Sequence, residues 1–218
     1  MSVYAVTERY VAPEHQTAYF ELIRQIRDRW AADGGLLLNR IAVSVNDPAR
    51  LIGIGRWRTI EALEAARQSI SPEVLDAFRA IVRQGWGRWH IYRPIREIEN
   101  FTLRPLLIGV DLLEVPPHEI DRFLDTNRAH QERVIQLPGV AASRLLQSVD
   151  DPTRLIGMTE FVDDQPRPAI HLLIDQTARA FPQVRGASFI GRIGSHWEPT
   201  IPSAPQTPAQ PPIGRKIP

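Results

Sequence analysis

Cysteine does not occur among the 218 residues. Its absence excludes a disulfide framework, a zinc ribbon, an iron–sulfur cluster and a thiol nucleophile. Lysine is nearly as scarce: Lys216 stands alone, and the other 25 basic residues are arginine. With 25 acidic residues to balance them, the formal net charge is +1, which is not the footprint of a nucleic-acid binder. Long apolar runs are missing too, and none approaches the roughly 18 residues of a membrane span. The opening MSVYAVTERY lacks the basic stretch followed by an apolar stretch that marks a secretion signal. No His-x-x-x-His or His-Glu-x-x-His pair occurs, so no metal is expected. Together these absences lead us to expect a cytoplasmic protein without membrane or nucleic-acid partners.

Proline is plentiful but uneven, with 7 of 19 in the last 20 residues. Pro199, Pro202, Pro205, Pro208 and Pro211 recur every third residue, which is the period of a polyproline II helix. The segment 199–218 is therefore expected to be an extended tail. It is a free extension, a strap along a neighbouring subunit of a homo-oligomer, or a docking motif for a protein partner.

The body of the chain repeats itself. At an offset of 104 residues, NDPARLIGIG (46–55) falls on DDPTRLIGMT (150–159), and 19 of 92 aligned positions are identical without a gap. The identities gather at turns and strand ends, where backbone geometry narrows the choice of residue. An internal duplication follows, with one repeat over 1–98 and a second over 102–198.

Each repeat reads as strand, helix, strand, strand, helix, strand. Pro13 and Pro117 sit at helix starts, where a missing N–H costs nothing. Tyr19, Leu22, Ile23, Ile26 and Trp30 recur at helical spacing, and Gly34-Gly35 ends that helix. Asn46-Asp47-Pro48 turns a hairpin whose strands are Leu36–Val45 and Arg50–Arg58. A second helix start is expected at Ser71-Pro72, and a last strand at Arg88–Arg93. The order defines an α+β, ferredoxin-like (βαββαβ) unit with both helices on one face of a four-stranded sheet. The other face needs covering, and two repeats in one chain can cover each other as a closed barrel.

Trp57 closing the third strand, then Ala62-Leu63 and Ser71-Pro72, resemble the antibiotic biosynthesis monooxygenase (ABM) family. That family belongs to the dimeric α/β-barrel superfamily. In its pattern an acid precedes the third-strand tryptophan, and a histidine follows nine or ten residues later. The acid's place holds Gly55 in the first repeat and Thr159 in the second. The tryptophan's place in the second repeat holds Phe161, and His171 follows ten residues on. The resemblance implies a tandem pair of ABM-like repeats folded as one intrachain barrel. It also implies a small-molecule enzyme of the cofactor-independent monooxygenase kind, acting on an apolar, aromatic or polyketide-like compound. The superfamily's haem-degrading branch uses an asparagine on the first strand, a tryptophan on the third and a histidine on the second helix. Only His171 matches that set, since LLIGVDLLEV has no asparagine and Phe161 replaces the tryptophan.

The repeats differ where function would show. Ile23 and Ile26 of the first become Asn127 and His130 in the second, beside Phe123 and Leu124. If the helix docks as its counterpart does, two polar groups point at the sheet, where burial demands hydrogen bonds. If it is rotated by one position, Ile120, Leu124 and Val134 face inward and His130 lies near the surface. The first alternative makes His130 a general base or substrate anchor, with Asn127 orienting and His171 assisting. Phe123, Phe161, Trp57 and Arg144 are the candidate substrate-binding residues. Arg40/Arg144, Arg50/Arg154 and Arg88/Arg192 repeat between halves, as charge pairs at the barrel rim or as an anion clamp. Trp86, Trp89, Tyr92 and Trp57 are expected to build core or interface. Two functions stand against each other: an enzyme with its pocket between sheet and helices of the second repeat, or a non-catalytic scaffold with the tail as docking arm.

Overall fold

The computed structural model describes residues 1–84, 89–100 and 102–197. In the first repeat, β1 (Val3–Val11) leads through a short 3₁₀ turn at Pro13–His15 into α1 (Gln16–Ala32), followed by β2 (Leu36–Ser44) and β3 (Arg50–Trp57). The expected helical region is two helices, α2 (Ile60–Gln68) and α3 (Pro72–Ile81), before a short β4 (Val82–Gln84) and β5 (His90–Glu99). The second repeat runs β6 (Leu107–Glu114), a 3₁₀ turn at Pro117–Glu119, α4 (Ile120–Val134), β7 (Val140–Ser148), β8 (Arg154–Phe161), α5 (Arg167–Ala180) and β9 (Arg185–Trp197).

Local chemistry sets these boundaries. Pro13, Pro72 and Pro117 stand in first turns as expected. The Thr59 hydroxyl accepts the Ala62 N–H at 3.2 Å and caps α2. After α1 the chain reverses at Gly34, whose φ of +69° strains any residue with a Cβ. In each hairpin an aspartate side chain accepts a turn N–H: Asp47 from Ala49 and Asp151 from Thr153, both at 3.0 Å.

Eight strands close into a barrel in the order β3-β2-β9-β6-β8-β7-β5-β1, with β1 pairing back to β3. The closure differs from a simple facing of two finished sheets. β5 meets β1 only at Tyr4–Val6 and then runs along β7 from Tyr92 to Glu99. β9 pairs both with β6 and, across the repeats, with β2. The last strand of each repeat thus satisfies the open edge of the other, and so it extends beyond the expected Arg88–Arg93. A register shift accommodates Pro94, which has no N–H to give.

Strand alternation sorts the side chains into layers. Tyr4, Val6, Ile52, Ile54, Ile108, Val110, Ile156 and Met158 fill the barrel. Outside it, α1 to α3 bury Tyr19, Ile26, Trp30, Leu63 and Phe78 against β1 to β3 as one continuous cluster. The corresponding layer of the second repeat is split. One cluster holds Phe123, Leu145, Leu155 and Phe181, and another holds Val134, Val140 and Leu173.

Inside one end of the barrel lies a buried charge network. Arg40 and Arg144 both reach Glu160, the latter at 3.0 Å, and Arg144 also bonds Glu99 at 2.5 Å. Arg56 reaches Glu97 at 3.1 Å, and the Tyr4 hydroxyl donates to Glu97 as well. This corrects the rim placement of the repeated pair Arg40/Arg144. Both lie on the inward-facing register of their strands and are almost fully buried, whereas Arg50 and Arg154 form partly exposed pairs with Glu8 and Asp151. Arg56 and Glu160 occupy equivalent positions of the two repeats. Duplication in one chain lets these two positions carry opposite charges, which an exact two-fold would forbid.

Candidate functional site

The split in the second helical layer is a cavity of about 330 Å³. This lies at the lower end of the range for small-molecule sites. Asp111, Ser143, Gly157, Thr159 and Ser188 form its floor on the sheet, and Asn127, His130, Gln131 and Thr177 are the polar residues of its helical roof. Phe123, Ile170, Leu173 and Ile174 supply apolar wall. Asn127 and His130 share one side of α4 by their three-residue spacing, and both are half-buried at the cavity. Of the two dockings open from sequence, α4 therefore takes the one that mirrors α1.

The Thr177 hydroxyl lies 2.7 Å from His130 Nδ1 and 3.0 Å from the Leu173 carbonyl. In the tautomer whose proton is on Nδ1, the hydroxyl oxygen accepts from the ring and its own proton goes to Leu173, which leaves the Nε2 lone pair with no partner among the described residues. Burial, with the nearby Arg133 charge adding to it, holds the imidazole below its ordinary value of 6.5. The ring is thus neutral and basic around pH 7.

Asp111 lies in the middle of β6, between Gly157 of β8 and Ser188 of β9. The Ser188 hydroxyl donates to its Oδ1 at 2.5 Å. Burial pushes this carboxyl up, outweighing the Ser188 bond and the His171 charge, which both act the other way. Gln131 is 4% exposed, and neither atom of its carboxamide has a hydrogen-bond partner. An amide left this way costs about 1–3 kcal/mol, so the cavity wall holds unspent hydrogen-bonding capacity.

The expected site residues separate into two groups. Asn127, His130 and Phe123 come together at the cavity, while Arg144 borders it only from β7, its side chain turned into the barrel and engaged by Glu99 and Glu160. His171, Phe161 and Trp57 are not among its lining residues. His171 is exposed on α5, where Arg167 Nε lies 3.5 Å from its Nε2. Phe161 is buried at the end of β8. Trp57 belongs to the first repeat, where it packs edge-on to Trp30 at 5.2 Å. Trp89 also packs on Trp30, at 5.9 Å. Trp86, Arg88 and the proline tail 199–218 lie outside the described residues. Asp111, Gln131, Thr177 and Ser188 were not anticipated. The signal for Asp111 was there, an acid at the centre of the apolar run of LLIGVDLLEV.

The first repeat shows why the cavity exists in only one helical layer at this place. There the space against the sheet shrinks to about 50 Å³, bordered by Trp30, Trp57 and Trp89. The Trp57 indole folds over Gly55, where a Cβ would stand 2.8 Å from its Nε1. Thr159 replaces Gly55, Phe161 replaces Trp57 and Val134 replaces Trp30 in the second repeat, so three changes of size leave the gap. A separate cleft of about 330 Å³ in the first repeat lies between the helices, with Arg9 as its contribution from β1. Val134→Trp should therefore plug the second-repeat cavity without unfolding the protein. Binding of a small apolar aromatic probe, followed by fluorescence titration, is expected to weaken at least tenfold while the melting temperature holds.

Two βαββαβ repeats that complete one barrel with each other's last strands define a single-chain form of the dimeric α/β barrel. The model of the antibiotic biosynthesis monooxygenase family matches residues 2–84, within the first repeat. A candidate monooxygenase from Lactobacillus acidophilus NCFM has a similar structure over 90% of this chain and 96% of its own, at 11% identity and a TM-score of 0.72. One from Fusobacterium nucleatum aligns over 91% and 94% of the two chains, at 12% identity and a TM-score of 0.69. An anthrone oxidase-like protein aligns over 90% and 93%, at 16% identity and a TM-score of 0.67. At these identities the likeness establishes the fold. No curated protein matches the chain in sequence. Among the described residues no helix is long and apolar enough to cross a membrane.

The donor set of the haem-degrading branch is not assembled here. His171 is exposed and absent from the cavity lining, and β6 offers no asparagine. Haem does not fit these residues.

Proposed function

We propose that the second-repeat cavity is the active site of a cofactor-independent monooxygenase for an enolisable aromatic or polyketide-like compound. One observation carries this reading: a neutral histidine, His130, presents an unclaimed Nε2 in a ligand-sized cavity, where the first repeat has Ile26. A base in an apolar enclosure is what such chemistry needs from a protein. His130 Nε2 takes a proton from an activated CH₂ carbon, and the electron pair moves into the conjugated system. Dioxygen is the oxidant: it accepts electrons from this carbanion and bonds to the carbon, and loss of water from the hydroperoxide leaves a ketone. The balance is CH₂ plus O₂ giving C=O plus H₂O. Asn127 orients the substrate through its carboxamide, and Phe123 and the apolar wall exclude water.

Anthrone is a suitable probe, because its CH₂ is acidified by a conjugated carbonyl. Incubated with purified protein and no added flavin or metal, it is expected to take up one dioxygen per molecule and yield anthraquinone. A rate no faster than the spontaneous oxidation would contradict the proposal.

A further inference from the structure

Gln131 lines the cavity but takes no part in the proton removal by His130. It stands next to His130 on α4 and one turn beyond Asn127, so the two carboxamides share a ridge of the helix. The other polar groups of the roof are provided for: Thr177 is engaged by His130 and Leu173, and Asn127 is only half-buried. Gln131 is 4% exposed, and neither its Oε1 nor its Nε2 has a hydrogen-bond partner. The counterpart in the first repeat, Arg27, bonds Asp28 at 3.0 Å and lies 3.4 Å from the Ser195 hydroxyl. In the second repeat Glu132 takes the place of Asp28, and Arg96 of β5 holds it at 2.9 Å. An unpaired buried amide destabilises the fold, whereas methionine or leucine would fill the same place and suit a helix equally well. Two rotatable bonds beyond Cβ let the carboxamide swing from its resting place into the adjoining cavity.

We propose that Gln131 sets the specificity of this cavity: its carboxamide turns inward onto an uncharged hydroxyl of the ligand and so selects hydroxylated aromatic compounds over bare hydrocarbons. The assignment rests on the reading of the cavity as a substrate site and narrows its substrate class to phenol-type rings; it does not depend on the oxygen step. A hydroxyl both donates and accepts, so either atom of the carboxamide pairs with it: Oε1 accepts its proton, or Nε2 donates to its oxygen. No bond within the protein has to break first, because the amide is unpaired before the ligand arrives. A ring without oxygen fills the same space and leaves the amide as unpaired as before. An anionic group gains less, since Gln131 is neutral and Arg144 is engaged by Glu99 and Glu160 inside the barrel. Asn127 and His130 stay available to the reacting part of the ring.

The test compares the full chain with Q131M, and with Q131L as a second apolar replacement. Equilibrium dialysis measures the affinities for 2-naphthol and naphthalene at about pH 7, where a phenolic hydroxyl keeps its proton. The ratio of the two affinities should shift against 2-naphthol by about tenfold in Q131M and in Q131L, as one hydrogen bond to a buried amide is lost. Naphthalene binding should stay within about twofold, and the melting temperature should hold or rise, because the replacement removes an unpaired buried amide. A ratio unchanged in both variants overturns the assignment and leaves the cavity a substrate site. A lowered melting temperature in both also overturns it, because the amide would then be a structural bond of the fold. If neither compound binds the unmodified protein, the reading of the cavity as a substrate site fails, and the assignment falls with it.

Discussion

Glutamine in place of His130 should lower kcat/KM for anthrone oxidation by about 10²–10⁴-fold, the usual contribution of a positioned general base. Glutamine is close to histidine in size and can still reach the Thr177 oxygen, so probe binding should change by no more than a few-fold. The effect belongs in kcat, because proton removal occurs on the way to the transition state and not in the ground-state complex. A pH profile adds a second readout. His130 works as the neutral base, and its value is held below 6.5 by burial. Activity should therefore be present above that lowered value and fall as acid protonates the ring, with a midpoint below 6.5. The glutamine variant should lose this acid limb along with the rate. A variant that keeps both would place the base elsewhere.

Removing the Glu160 carboxylate should destabilise the fold by about 3–5 kcal/mol, because two buried arginines then face each other without their anion. Glu160 is 2% exposed, and Arg40 and Arg144 are 4% and 3% exposed. Solvent cannot take over the role of the lost charge at such burial. For a chain of this length the loss corresponds to a fall in melting temperature of about 6–20 °C, read by calorimetry on E160A. The three residues come from β2, β7 and β8, so the network ties the first repeat to the second through the barrel interior. E160A should accordingly weaken the contact between repeats and leave the helix layers packed. An unchanged melting temperature would show that the network contributes nothing net to stability.

The duplication made most of the fold legible. Repeated turns such as Asn46-Asp47-Pro48 and Asp150-Asp151-Pro152 fixed the hairpins, and the apolar spacing of Tyr19, Ile26 and Trp30 marked α1. The strand exchange was not legible, because edge pairing depends on which backbone groups remain open once the barrel forms, and side-chain pattern says little about that. The same limit applied to Arg40 and Arg144. Sequence shows that both halves keep an arginine, but inward or outward register depends on the shift of one residue.

The candidate site was partly legible, and the reason lies in the comparison of repeats. Asn127 and His130 stood out against Ile23 and Ile26, since polar residues replaced apolar ones on a buried helical face. Residues carried over by family resemblance fared differently. Trp57 lies in the repeat whose space is filled, and His171 lies on the outer side of α5. Gln131 and Thr177 were hidden because their counterparts, Arg27 and Glu73, are polar as well, so no contrast marked them. Asp111 replaces Thr7, a polar-for-polar change whose meaning appears only when β6 is seen to floor a cavity.

The central claim is that chemistry resides in the second repeat alone. Dioxygen uptake with anthrone, measured on V134W and on L75W side by side, tests it most directly. V134W fills the second-repeat cavity, whereas L75W fills the inter-helix cleft of the first repeat, which Leu75 lines. The account predicts that V134W abolishes the protein-dependent uptake and that L75W leaves it unchanged. Uptake that survives V134W and disappears in L75W would contradict it.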